Sequence, residues 1–172
     1  RDWPRVEQEK RAITKKINLK TKFKIYNTAS RRIEEFKPIK DGQVGMYSCG
    51  PTVYDEAHIG NLRAYVFNDL LYRFLKAEGY NVQWVMNITD IDDKMIARAK
   101  ADNTSVKEIA QKYESQFLDN IRAINVSVDN IKFVRATEHF AEMKKKAETG
   151  DSFSASWVEV FSKLGYYLHV KI

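Results

Sequence analysis

The run Tyr47-Ser48-Cys49-Gly50-Pro51-Thr52-Val53-Tyr54-Asp55-Glu56-Ala57-His58-Ile59-Gly60-Asn61 decides how the rest of the chain is read. It leaves a short apolar segment, turns at Gly50 and Pro51, and enters a long stretch of apolar periodicity. A strand, a tight loop and a helix N-terminus in that order make a corner suited to anions. The first N–H groups of a helix lack internal partners, and the helix dipole is positive at that end. A thiol (Cys49), a hydroxyl (Thr52), an imidazole (His58) and a carboxamide (Asn61) all lie on this corner. Gly60 lets a nucleotide approach the backbone, and His58 and Asn61, three residues apart on one helical turn, face the same side.

Working outward, Val44 to Ser48 suits the first central strand of a parallel sheet. Leu62 to Glu78 reads as a helix, with Leu62, Val66, Leu70 and Phe74 at four-residue spacing. Phe67, Leu71 and Leu75 widen that stripe to a deeply buried face, and Gly79 caps the end. Asn81 to Ile88, carrying Val82, Trp84, Val85, Met86 and Ile88, reads as the second parallel strand; Trp84 and the aromatic helix positions are assigned to the core. Strand, helix, strand is a right-handed βαβ unit, half of a nucleotide-binding α/β fold whose ligands sit outside the carboxyl ends of the strands. A second chemical block, Thr89-Asp90-Ile91-Asp92-Asp93-Lys94, follows the second strand and so falls at the same edge.

Upstream, Phe23–Asn27 and Arg32–Phe36 are expected to pair as a hairpin, preceded by a charged leader over residues 1–22. Downstream, Asp93–Ala101 is a short helix. Ser105 and Glu108 form a capping-box pattern for a helix running to about Ile124, with Val106, Ile109, Tyr113, Phe117, Ile121 and Ile124 on one face. Val126–Phe133 reads as irregular, and Arg135 restarts a helix through Lys144-Lys145-Lys146. Ser156–Leu164 reads as helical and Tyr166–Ile172 as an edge strand.

The 172 residues are 44% hydrophobic and 12% aromatic, which excludes a disordered composition and allows one domain with a real core. A formal charge of +6 and a pI near 9.3 favour an anionic partner, nucleic acid first, although a lysine-rich solvated surface accounts for part of it. No apolar run approaches the roughly 20 residues needed to span a bilayer, and a single cysteine excludes an internal disulfide. The expectation is a cytoplasmic monomer.

Cys49 to Asn61, ending in His58-Ile59-Gly60-Asn61, resembles the signature of cysteine–tRNA ligases, members of the class I aminoacyl-tRNA synthetases. The resemblance recurs at Asn87 to Lys94 and more weakly at Arg135-Ala136-Thr137-Glu138-His139, and covers roughly Phe23 to Phe140. It implies an α/β, Rossmann-like parallel sheet, the N-terminal half of a class I catalytic domain, over residues 23–134. Residues 135–172 would then begin a helical insertion, atypical beyond Phe140. It also implies ATP-dependent activation of L-cysteine and its transfer to tRNA(Cys). His58 and Asn61 would be the catalytic pair, stabilising and orienting the phosphates of ATP with Gly60, and Mg2+ would accompany the nucleotide.

On the same resemblance Gly50, Thr52 and Thr89 line the cysteine pocket. Cys49 is one ligand of a Zn2+ that selects a thiolate over a hydroxyl. The acids at 90, 92 and 93 either bind the substrate ammonium or make supporting and helix N-terminal contacts; both readings stay open. Tyr54 and Asp55 are assigned structural roles. The family's further zinc ligands and its Lys-Met-Ser-Lys-Ser-like loop have no counterpart here, and His139 and His169 lack the spacing to replace them. The chain therefore reads as an N-terminal fragment. The alternatives are a catalytically inactive ATP- or RNA-binding fragment and a cysteine–amino-sugar ligase of the mycothiol pathway.

Overall fold

The computed structural model describes residues 23–139 and the backbone of 168–170. The chain divides into two units, Arg1–Pro38 and Ile39–Ile172. In the first, β1 (Lys24–Asn27) and β2 (Arg32–Glu35) form the expected antiparallel hairpin, in register from Lys24 against Glu35 to Asn27 against Arg32. Phe23 and Phe36 stack across its open end with centroids 4.8 Å apart. At the tip the Asn27 side chain accepts from the Ala29 N–H at 3.0 Å, the local bond that makes asparagine a turn former.

The second unit is a parallel sheet in the order β5-β4-β3-β6, built from β3 (Gln43–Ser48), β4 (Asn81–Ile88), β5 (Ile131–Arg135) and β6 (Leu168–Val170). Helix α1 (Ile59–Ala77) joins β3 to β4; α2 (Asp93–Ala101) and α3 (Val106–Ala123) join β4 to β5. Both connections step the same way across the sheet, so right-handed crossovers put all three helices on one face. The packing agrees. Trp84 of β4 stacks on Tyr72 of α1 at 5.4 Å, and Ile88 packs with Met95, Ile109 and Tyr113 of α2 and α3. Side chains alternate along a strand, so Tyr47, Val85, Val134 and Ala136 form a separate cluster on the other face.

Helix ends follow their sequence signals. Ser105 and Glu108 cap α3 reciprocally: the Glu108 N–H donates to Ser105 Oγ at 3.1 Å and the Ser105 N–H donates to Glu108 Oε2 at 3.0 Å. Gly79, at φ +86°, ends α1, with its N–H on Lys76 O and the Tyr80 N–H on Leu75 O. Asn125, at φ +62°, does the same for α3.

Five expectations need correction. Helix α1 starts at Ile59 rather than Leu62, because His58 supplies its cap. Its apolar stripe is only partly the buried face: Leu75 is buried and Leu62 and Leu71 are half-buried, but Val66, Phe67, Leu70 and Phe74 are exposed, and Tyr65, Asn68, Asp69 and Tyr72 are buried instead. The aromatic helix positions split, Tyr65 and Tyr72 joining the core and Phe67 and Phe74 staying out, while Trp84 of β4 is in the core as expected. The segment read as irregular contains β5, whose Ile131 and Val134 are buried beside β4. Past Arg135 the described chain makes only a single 3-10 turn, Thr137–His139, before the described residues pause.

The edge strand expected near the C-terminus is present as β6, paired in parallel with β3. The leader over residues 1–22, the helix through Lys144–Lys146 and the helix over Ser156–Leu164 lie outside the described residues.

Candidate active site

Strand β3 ends at Ser48 and β4 at Ile88, and the chain pairs once more beyond them, after the turn at 49–51. The Val53 N–H donates to Thr89 O at 3.1 Å and the Thr89 N–H to Pro51 O at 3.0 Å, an isolated parallel bridge between Thr52 and Thr89. Two residues assigned to the cysteine pocket thus stand side by side at the carboxyl edge of the sheet, both half-buried. Gly50 belongs to the same corner. Its N–H donates to Asn87 Oδ1 at 3.1 Å, and a Cβ at this position would lie 1.7 Å from the Asn87 carbonyl oxygen. Only glycine lets the turn pass this close to β4. Because the Gly50 N–H is already engaged, its contribution to the corner is one of shape.

Cys49 is exposed between Ser48 and Gly50. Burial pushes the Tyr47 phenol well above its ordinary 10, with the neighbouring Cys49 sulfur adding to the shift, and the same two causes raise Tyr65 of α1.

His58 and Asn61 face each other across the start of α1, both exposed. The Gly60 N–H donates to His58 Nδ1 at 3.1 Å, and the His58 N–H donates to Asn61 Oδ1 at 3.2 Å. The Asn61 N–H is bonded to His58 O at 2.9 Å. Two N–H groups expected to await an anion are thus taken by His58 itself. With Nδ1 accepting, the proton of the neutral imidazole is on Nε2, and with Oδ1 accepting, Asn61 has its Nδ2 hydrogens to offer. Anion recognition at this helix end then falls to side-chain donors more than to the backbone. Gly60 serves the His58 ring as well, since a Cβ there would meet its Cε1 at 2.9 Å.

The acids after β4 have separate tasks. Asp90, 9% exposed, accepts from both the N–H (3.0 Å) and the hydroxyl of Thr137, tying the end of β4 to the turn after β5. Asp92 caps α2 by accepting from the Lys94 N–H at 2.8 Å. Asp90 and Asp92 thus make supporting and helix N-terminal contacts. Tyr54 and Asp55 keep their structural assignment: the Tyr54 ring packs against the α2–α3 cluster under Lys94, and Asp55 accepts from the Glu56 N–H.

Sequence reasoning passed over the other ties at this edge. Arg135 bridges Glu114 of α3 at 2.5 Å and Glu138 at 3.1 Å. Asn87 links Tyr47, Gly50 and Thr89, and its signal was a carboxamide within the apolar stretch Trp84–Ile88.

Among the described residues no three His, Cys, Asp or Glu side chains are grouped to hold a metal ion. Cys49 alone does not make a zinc centre, and the described residues do not fit one.

A parallel sheet with helices on one face and its chemical side chains at the carboxyl edge is the half-fold of a nucleotide-binding α/β protein. Residues 35–150 match the family model described as the tRNA synthetases class I (C) catalytic domain, and the chain belongs to that family. It is 46% identical over 135 residues to a cysteine–tRNA ligase of Finegoldia magna, covering 78% of this chain and 29% of that protein. It is 45% identical over 138 residues to a cysteine–tRNA ligase of Thermococcus kodakarensis, again covering 78% and 29%. One of Staphylothermus marinus is 52% identical over 121 residues, 70% of this chain and 25% of its own length. The chain thus spans less than a third of the length of these curated relatives.

Proposed function

We propose that this chain carries the first part of the site at which a cysteine–tRNA ligase activates L-cysteine with ATP as cysteinyl-adenylate, before transfer to tRNA(Cys). The carboxylate of cysteine attacks the α-phosphorus, an acyl–phosphate bond forms, the α–β phosphoanhydride bond breaks, and pyrophosphate leaves with its Mg2+. His58 Nε2–H and the Asn61 amide donate to phosphate oxygens as charge builds there, so catalysis is by placement and charge stabilisation without a covalent enzyme intermediate. Gly60 keeps the helix start open to the nucleotide. Gly50, Thr52 and Thr89 floor the amino-acid pocket. Cys49 is offered as one zinc donor within a longer polypeptide whose remaining donors come from elsewhere; no step is drawn through that metal.

The observation that carries this reading is the bridge between Thr52 and Thr89, which sets the residues after β3 and β4 edge to edge beside Cys49. The test is cysteine-dependent exchange of labelled pyrophosphate into ATP. It is run on this chain and on the chain extended by the remainder of a full-length relative. Exchange with cysteine and not serine, reduced about a hundredfold or more by His58→Ala, is expected in the extended polypeptide. No exchange in either would leave a binding module in place of an enzyme. Exchange followed by transfer to an amino sugar and not to tRNA would move the acceptor to the mycothiol type.

A further inference from the structure

We infer that Asn87 is a positioning residue that fixes the Cys49–Gly50 turn and orients the Thr89 hydroxyl as a hydrogen-bond donor toward the amino-acid substrate. Asn87 is 5% exposed near the end of β4, on the sheet face that otherwise carries Tyr47, Val85 and Val134. Central parallel strands are normally filled with apolar side chains on both faces, and a carboxamide there is costly unless its polar atoms are bonded. All of them are. Oδ1 accepts from the Tyr47 hydroxyl at 2.8 Å and from the Gly50 N–H at 3.1 Å, and Nδ2 donates to Thr89 Oγ1 at 3.4 Å.

The Gly50 N–H can only donate, so the amide has one workable orientation: oxygen toward Gly50, nitrogen toward Thr89. Two consequences follow. The turn that displays Cys49 is pinned to β4 from two sides, by the Asn87 side chain on its N–H and by the Asn87 carbonyl against the Gly50 α-carbon. The Thr89 oxygen, already accepting from Nδ2, has its single hydrogen to turn toward another acceptor, which suits a carboxylate or sulfur of the substrate. Asn87 touches the residues that would contact substrate and not the substrate itself.

The choice of Asn87→Asp as the test follows from this geometry. It keeps an oxygen for Gly50 and Tyr47 but replaces the donor facing Thr89 with an acceptor, which draws the Thr89 hydrogen back from the substrate. The inference rests on the assignment of Gly50, Thr52 and Thr89 to the amino-acid pocket, and two measurements separate the claims.

In titrations followed by NMR, Asn87→Asp should raise the Kd for L-cysteine about tenfold while leaving that for ATP unchanged. Thr89→Val should do the same, and the double variant should be no worse than either single one. An unchanged cysteine Kd, or multiplied effects in the double variant, would overturn the orienting role. If the parent chain binds ATP and not cysteine, the pocket assignment fails, and amide hydrogen exchange decides the rest. The Gly50 amide should be protected in the parent and exchange about tenfold or more faster in Asn87→Leu, with the Val85 amide unmoved. Equal Gly50 exchange in both proteins would remove the pinning role as well.

Discussion

Helices α1 and α3 both carry apolar residues at three- and four-residue spacing, yet they use them differently. In α3 the stripe meets the core: Ile109, Tyr113, Phe117 and Ile121 are all buried. In α1 the helix is rotated so that Tyr65, Asn68, Asp69, Tyr72 and Leu75 face inward, and Val66, Phe67, Leu70 and Phe74 are left outside. Polar and aromatic contacts set that rotation. Asp69 accepts from the Ser127 N–H at 2.9 Å and pairs with Arg73, whose guanidinium also donates to Asn125 O at 2.8 Å. Tyr65 meets Phe117 edge-on at 5.0 Å, and Tyr72 lies against Trp84. Periodicity identifies a helix; when apolar residues cover more than half its circumference, fixed polar partners choose the face.

The sharpest way to break the contrast is truncation on the buried side. Phe117→Ala should cost about 3–5 kcal/mol in chemical denaturation, because it deletes a packed ring between α3 and α1. Asp69→Ala should cost about 1–3 kcal/mol by leaving the part-buried Ser127 N–H without its acceptor, and would show that a polar tether sets the rotation of α1. A loss as small as that of a surface substitution would return the choice of face to packing alone.

The two N-terminal caps can be compared directly. Ser105→Ala on α3 should lose about 1 kcal/mol. Its partner Glu108 is held down to about 2 from its ordinary 4.5, chiefly by the bond from the Thr104 hydroxyl and then by those from Ser105. A carboxylate lowered on folding stabilises fully above about 4.5, and that stabilisation drains away as pH falls toward 2. Melting temperature against pH should therefore be steeper over this window in the parent than in Glu108→Gln. Smallest of all, Phe67→Gln on the exposed face of α1 should change stability by no more than about 0.5 kcal/mol.

Much of the site-bearing frame was legible in the sequence because its signals are local. The Val44–Ser48 and Asn81–Ile88 strands, the Ser105/Glu108 cap and the Gly79 stop each follow from a few neighbouring residues. Strand β5 was missed because Ile131 to Arg135 is short and becomes a strand only by lying against β4. The face of α1 was missed because Asp69 finds Ser127 across 58 residues of chain. At the site, Cys49, Thr52 and Thr89 could be placed at one edge by the βαβ logic alone. The reciprocal capping by His58 and Asn61 shows only in the structure, and Asn87 stayed hidden because its three partners come from two strand ends.

No helix among the described residues is long and apolar enough to cross a membrane. The account's central claim concerns the start of α1, where ATP is placed against His58, Gly60 and Asn61 beside the carboxyl edge of the sheet. It is tested most directly by titrating ATP and Mg2+ into the isotopically labelled chain and following backbone and imidazole resonances. The account predicts the largest shifts at His58, Gly60 and Asn61, extending to Gly50 and Thr89, and their loss in His58→Ala. Saturable binding with shifts confined to the β1–β2 hairpin, or no binding at all, would contradict it.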